Sequence, residues 1–228
     1  MYTDINYLYL KNHKVFHGLN KDQLYEILKY VKFKRKKRSE ILRMSESESQ
    51  YVYFLIKGNL KLSETDHDGN EFIKEILKEG DVFGSIERDT DRSYEYALAL
   101  TSEVVYFTIG AAEFEMLSTA YPKLGLNLCT AVYQKLKFSQ ERYNNLAFKD
   151  VKTRLVQFFK LWAIEEGVRD GNKISIKNYL THQDIASIIS TCRQTVTAIL
   201  NELKNNGDIS YSRREIVISD INQLDNAA

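Results

Sequence analysis

Residues 181–207, THQDIASIISTCRQTVTAILNELKNNG, constrain this chain more than any other stretch, because they read as two short helices broken by a tight polar turn. Thr181 is placed to cap the first helix, with Asp184 standing in for the Glu of a capping box, and Ile185, Ile188 and Ile189 supply one apolar face. Ser190 and Thr191 interrupt the pattern. Val196, Ile199, Leu200 and Leu203 then recur at helical spacing, Lys204 falls in the last turn, and Gly207 follows as a stop signal. Helices this short cannot bury their apolar faces alone, so they must lean on each other and on a small domain. That leaves Arg193, Gln194, Thr195 and Thr197 to face outward, as a helix-turn-helix presents its recognition helix to the major groove of DNA. An ordinary antiparallel helix pair fits the same residues. Thr191 and Gln194 also stand at capping-box spacing, so Gln194 reads either as a cap or as a reader of bases.

Earlier in the chain, Asn20 with Gln23 marks a helix start, and Leu24, Ile27, Leu28 and Val31 give that helix an apolar stripe. The run KFKRKKR, residues 32–38, is either a nucleic-acid patch or a charge-blunted edge strand with its turn; its distance in sequence from the helix pair favours the edge strand. From Tyr51 to Phe83, short apolar runs alternate with the turn signals Lys57-Gly58-Asn59, Asp68-Gly69-Asn70 and Glu79-Gly80-Asp81. Tyr94 to Leu100 and Glu103 to Ile109 add further strands, which together argue for an antiparallel barrel or jelly roll. Pro122, the only proline, opens a long helix in which Leu124, Leu128, Val132, Leu136, Ser139, Tyr143 and Leu146 recur in steps of four or three. A stripe of that length exceeds what a small barrel needs for its own cover and predicts packing on a twofold mate; packing on its own barrel alone is the alternative. Asp150 predicts the N-cap of a further helix, with Val151, Leu155, Phe158, Phe159 and Trp162 as core residues that support the helix pair.

With 228 residues, 43% hydrophobic and 28% charged, the chain has room for two modest folded domains. A net charge of +1 gives no global argument for nucleic acid, but residues 149–218 carry eleven Lys and Arg against eight Asp and Glu. The first residues lack the basic, apolar and small-residue regions of a signal peptide, and no apolar run reaches the length of a membrane span, so a cytoplasmic location is expected. Cys129 and Cys192 are the only two cysteines and lie far apart in sequence, so there is no disulfide framework and no metal-type cysteine spacing. His13, His17, His67 and His182 show no metal-ligand spacing, and surface or capping roles are expected for each. No nucleophile stands beside a base partner, so no catalytic residue is assigned.

The run THQDIASIISTCRQTV resembles the helix-turn-helix of the cyclic-AMP receptor and Fnr (Crp/Fnr) family of bacterial transcription regulators. NNLAFKDVKTRL resembles the segment joining that family's dimer helix to its DNA-binding domain, and YVYFLIKGNLKL with GDVFG resembles its cyclic-nucleotide-binding-type barrel. The similarity covers about residues 14–218, with the motifs in the family's order. It implies an α+β chain: an antiparallel β jelly-roll sensor over residues 1–120, a dimerisation helix and hinge over 121–147, and a winged helix-turn-helix domain over 148–228. ISYSRREIVI resembles the wing, with Arg213 and Arg214 at its turn within reach of phosphate. The implied DNA-binding set is Arg193, Gln194, Thr195, Thr197, Arg213 and Arg214. Arg193 matches the family's guanine-reading arginine, whereas Gln194 stands where a glutamate is usual and Ala198 replaces a second arginine, so the usual operator is not expected. The implied partners are a second copy of the chain and double-stranded DNA with a roughly palindromic site, with RNA polymerase and an unidentified small-molecule effector as further candidates.

For the sensor, Gly84 corresponds to the family's phosphate-cassette glycine, Arg92 and Ser93 to its arginine and serine, and Ser139 and Gln140 to the hydroxyl pair that meets adenine. The departures weigh more. Ser85 occupies the place of the ribose-binding glutamate, the cassette between Gly84 and Arg92 is short, and Glu87, Asp89 and Asp91 bring negative charge toward any phosphate. A cyclic nucleotide is therefore disfavoured as cofactor, and another small ligand or none is expected. Two cysteines cannot supply the four thiolates of the iron-sulfur cluster held by oxygen-sensing Fnr members. The rival reading is a regulatory module that binds no DNA, its barrel holding a small molecule or protein and its C-terminal part docking through plain helices; Arg193, Gln194 and the basic wing speak against it.

Overall fold

The computed structural model describes residues 2–43, 50–69, 71–84 and 95–224. They form two compact units, residues 1–137 and 138–228, each built on its own core.

The first unit begins with α1 (Tyr2–Asn12), a single 3-10 turn and α2 (Lys21–Leu28). Asn20 caps α2 by accepting from the Gln23 amide at 3.0 Å, while the Gln23 side chain accepts from the Asn20 amide at 2.9 Å. Among the described residues eight strands follow: β1 (Lys32–Lys37), β2 (Ile41–Arg43), β3 (Tyr51–Lys57), β4 (Leu60–Thr65), β5 (Glu71–Leu77), β6 (Val82–Gly84), β7 (Glu95–Ala99) and β8 (Glu103–Gly110). They pair antiparallel in two four-stranded sheets, β1-β8-β3-β6 and β2-β7-β4-β5, the two layers of a jelly roll. The Gly58 turn carries the chain from one sheet to the other, and the expected turns at Gly69 and Gly80 fall between β4 and β5 and between β5 and β6; Asn70 lies outside the described residues.

The unbroken apolar run of β3 follows from burial on both faces. Tyr53 and Leu55 face the second sheet with Leu60, Leu77 and Tyr106, whereas Val52, Phe54 and Ile56 face the helices with Phe16, Leu24 and Ile27. The basic run forms β1, which among the described residues is an edge strand paired with β8, with Lys32, Lys34 and Lys37 exposed and Lys36 half-buried. His13 takes the expected capping role, its Nδ1 accepting from the Val15 amide at the start of the 3-10 turn, with the ring buried against Phe16, Phe54 and Phe107.

After α3 (Ala111–Ala120), Pro122 opens α4 (Pro122–Phe148), as expected. Its beginning packs on the barrel side through Leu124, Leu128 and Ala131, and Lys135 forms an ion pair with Glu75 of β5 at 2.6 Å. Beyond that the stripe is bare: Val132, Leu136 and Tyr143 are 56%, 55% and 78% exposed. Among the described residues no helix is long and apolar enough to cross a membrane.

The second unit contains α5 (Val151–Glu166), capped by Asp150, and then β9 (Val168–Asp170), β10 (Lys173–Lys177), α6 (His182–Ile188), α7 (Arg193–Asn205), β11 (Ile209–Tyr211) and β12 (Glu215–Ile218). The strands form one antiparallel sheet in the order β11-β12-β10-β9. Leu155, Phe159 and Trp162 of α5 are buried, together with Ile174 and Ile176 of β10 and Ile216 and Ile218 of β12, so the aromatic face serves as core. β11 and β12 form the expected wing, whereas the β9–β10 hairpin was not expected.

Candidate nucleic-acid interface

Thr181 caps α6 in full: its Oγ1 accepts from the Asp184 amide at 3.1 Å, and Asp184 Oδ2 accepts from the Thr181 amide at 2.9 Å. Ile185 and Ile189 are buried against the second helix, whose Val196, Ile199, Leu200 and Leu203 are all buried. The turn between the helices is a Schellman motif. Ser190 sits in the left-handed region at φ 55°, its amide donates to Ser187 O, and the Thr191 amide donates to Ala186 O at 2.9 Å. At the far end of α7 the same motif recurs with Gly207 at φ 81°, where the Asp208 amide donates to Leu203 O at 3.0 Å.

That geometry corrects the capping alternative for Gln194. Because the Thr191 amide is still engaged in closing α6, α7 starts one residue later than a Thr191 cap requires. Its N-cap is Cys192, which makes no side-chain cap bond, and Gln194 is the second helical residue instead of the third. Cys192 Sγ instead shares a 3.1 Å hydrogen bond with Thr195 Oγ1, and the side-chain and amide hydrogen bonds of Thr195 hold the exposed thiol below its usual range.

Arg193 and Gln194 are exposed as expected. Thr195 and Thr197 are half-buried and hydrogen-bonded within the domain, which removes them from the set of freely projecting side chains. The Thr197 hydroxyl donates to Arg193 O at 2.9 Å, so the 2.8 Å contact with His182 is donated by His182 Nδ1. The His182 ring also meets Tyr211 edge-on at 5.0 Å, joining α6, α7 and β11. Burial, and then the charge of Arg193, lower the His182 pKa. This histidine is an internal strut, where a surface or capping role was expected. The outward face of α7 is a shallow concave patch lined by Arg193, Gln194, Thr197, Ala198 and Asn201. Asn201 was not singled out from the sequence, although it lies seven residues after Gln194 on the same helical stripe.

Arg213 and Arg214 occupy the exposed β11–β12 turn. The turn is pinned from within: Ser212 Oγ accepts from the Arg214 and Glu215 amides at 3.2 and 3.0 Å, and Asn178 Nδ2 donates to Ser212 O at 2.8 Å. A rigid loop with two exposed guanidinium groups suits phosphate contact.

The end of α6 is held by two arginines that sequence reasoning missed. Arg154 of α5 donates through Nε to Ile189 O at 3.0 Å, through Nη2 to Ser190 O at 3.3 Å and through Nη1 to Lys149 O at 2.7 Å, while Arg142 of α4 donates to Ile188 O at 3.2 Å. One planar guanidinium therefore satisfies carbonyls just past the C-terminal ends of both α4 and α6, where unpaired acceptors and the negative pole of each helix coincide.

The sensor candidates are less gathered. Gly84 ends β6 at φ 93°, and a Cβ there would lie 2.5 Å from Tyr51 O and 2.6 Å from the Tyr53 ring, so the barrel itself requires glycine whatever it binds. Ser139 and Gln140 are exposed on α4, in the second unit. Ser85, Arg92, Ser93 and the acidic Glu87, Asp89 and Asp91 lie outside the described residues. In the barrel, Lys74 of β5 pairs with Glu64 at 2.6 Å and Glu95 at 3.0 Å. Burial raises the pKa of Glu75, against the pull of its partner Lys135. Among the described residues no group of three or more His, Cys, Asp and Glu side chains is placed to hold a metal ion.

Residues 33–121 match the cyclic nucleotide-binding domain family, and residues 153–227 match the Crp-like helix-turn-helix domain family. The global nitrogen regulator of Synechocystis sp. is 31% identical over 187 residues, covering 79% of this chain and 81% of that protein. The cAMP-activated global transcriptional regulator CRP of Salmonella typhimurium is 28% identical over 187 residues, covering 79% and 86%. A CooA mutant from Carboxydothermus hydrogenoformans shares the fold with a TM-score of 0.76 at 23% identity, covering 96% of this chain and 98% of its own. On these matches the chain belongs to the Crp/Fnr family of bacterial transcription regulators, and it is a DNA-binding regulator and not an enzyme.

Proposed function

We propose that the chain works as a homodimer that sets two copies of α7 in successive major grooves of a roughly palindromic DNA site, and that cyclic AMP is not its switch. The observation that carries the DNA reading is the exposed start of α7, where Arg193 and Gln194 project from a helix whose other face is wholly buried. Arg193 is suited to a bidentate contact with guanine, and Arg213 and Arg214 to phosphate. The bare stretch of α4 from Val132 to Tyr143 supports the dimer. RNA polymerase and a small-molecule effector complete the candidate partners, and a regulator of this kind works in the cytoplasm. Genome-wide mapping of bound DNA, followed by electrophoretic shift of the recovered sites against random competitor, tests the reading; binding indifferent to sequence would sink it.

Against cyclic AMP stands Ser85, a short hydroxyl where nucleotide-binding relatives present a carboxylate to the ribose. Losing one charge-assisted hydrogen bond weakens binding by about 1.5 to 3 kcal/mol, roughly ten- to a hundredfold. Isothermal titration with cyclic AMP and cyclic GMP is expected to show no binding at micromolar concentrations and no change in DNA affinity. Micromolar binding that tightens the DNA complex and vanishes in Arg92→Ala would return the chain to the nucleotide-gated branch.

A further inference from the structure

We infer that Asn201 is a specificity-determining residue of α7, presenting its side-chain amide to an adenine. The inference rests on the recognition-helix reading above. Val196, Ile199, Leu200 and Leu203 bury one side of α7, which leaves Gln194, Thr197, Ala198 and Asn201 as a comb at i, i+3, i+4 and i+7 on the other. Two teeth of that comb bring no donor to a base. The Thr197 hydroxyl proton goes to Arg193 O and its oxygen already accepts from His182, and Ala198 offers a methyl group. Glu202, next along the helix, is turned to Lys152 of α5 at 2.9 Å.

The polar content of the patch after Arg193 is therefore two carboxamides flanking an alanine, with Asn201 exposed. A carboxamide carries one donor and one acceptor side by side, the complement of adenine N6 and N7 in the major groove, while the Ala198 methyl suits the methyl of thymine. Seven residues of helix separate the two amides by about 10 Å along α7, so they meet different base pairs of the groove. The half-site should thus hold two separate adenine positions, one for Gln194 and one for Asn201.

Selection of bound sequences from a random duplex library, using the full chain, tests this with wild type, Asn201→Ala, Asn201→Asp and Arg193→Ala. Asn201→Ala should relax base preference at one position of each half-site, by roughly five- to 150-fold, and leave the other positions intact. Asn201→Asp keeps the side chain's size but only accepts hydrogen bonds, and should move that position toward cytosine. Asn201 is exposed and mid-helix, so Asn201→Ala folds at least as readily as wild type. A uniform weakening over all sequences would make Asn201 a phosphate contact, and an unchanged preference would remove it from the interface; either overturns the inference. If Arg193→Ala loses base preference while Asn201→Ala does not, the DNA reading survives and this inference alone fails. If wild type selects no sequence, both fail together.

Discussion

Three exposed arginines are expected to act on DNA in two ways. Arg193, at the first position of α7, is proposed to meet a base edge, so Arg193→Ala should cost about 1 to 3 kcal/mol on specific DNA and far less on random duplex. Neutralising Arg213 and Arg214 removes cations from a pinned turn and should weaken all sequences alike, flattening the dependence of affinity on salt. Titrations on operator and random DNA at several salt concentrations separate the two; equal loss on both DNAs for Arg193→Ala would take it out of the base-reading role. A different residue governs acid stability. Burial among phenylalanines pushes the His13 imidazole down from 6.5 to about 4, with the Asp81 backbone only partly opposing. A depressed folded pKa means that the unfolded chain takes up the proton first. The stabilisation is therefore whole above pH 6.5 and is lost as pH falls toward 4, about 3 kcal/mol in all. His13→Phe should flatten the stability curve across that window, measured by denaturant unfolding at a series of pH values, and an unaltered slope would show that other groups set it.

At the scale of elements, α6 and α7 end in the same Schellman geometry, but α6 does so with Ser190 where glycine is freer. The Arg154 fork on Ile189, Ser190 and Lys149 carbonyls helps hold that turn. Arg154→Met should lower stability by about 1.5 to 3 kcal/mol and speed amide exchange at Ser190 and Thr191, and Arg154→Lys should recover only part, since an ammonium cannot span three acceptors with a planar fork. Exchange at those amides matching wild type in Arg154→Met would show the fork to be dispensable. The contrast between this fork and the caps explains what the sequence discloses. Asn20 with Gln23, Thr181 with Asp184, and Asp150 with Thr153 were readable because a cap is closed within three residues. The Thr191–Gln194 box failed because a second local solution, the amide bond back to Ala186, claims the same residue. Arg154 reaches a carbonyl 35 residues away, and no local pattern encodes that. β9 and β10 flank a visible Asp170-Gly171-Asn172 turn, yet β9 is three exposed residues long and carries no alternation to read. Of the residues on the outward face of α7, Arg193 and Gln194 were legible from helical phase, whereas the engagement of Thr197 by His182 depends on how α6 and α7 pack.

At the scale of the molecule, α4 divides its labour along its length. Leu124 and Ala131 are buried on the barrel side and Lys135 pairs with Glu75, while Val132, Leu136 and Tyr143 stay bare. Val132→Glu with Leu136→Glu would set like charges against each other across a self-facing seam and should leave folded monomers that no longer shift operator DNA. Sedimentation equilibrium with circular dichroism checks this, and a folded double mutant that still sediments as a dimer would remove α4 as the interface. A dimer paired through the bare stripe, as proposed above, carries a threshold. Where copies are too few to pair, the concentration of the DNA-reading species rises with the square of the total, so halving the protein quarters it. Gene dosage, dilution as cells grow and the strength of the regulator's own promoter then become inputs to the response, acting before any effector is met.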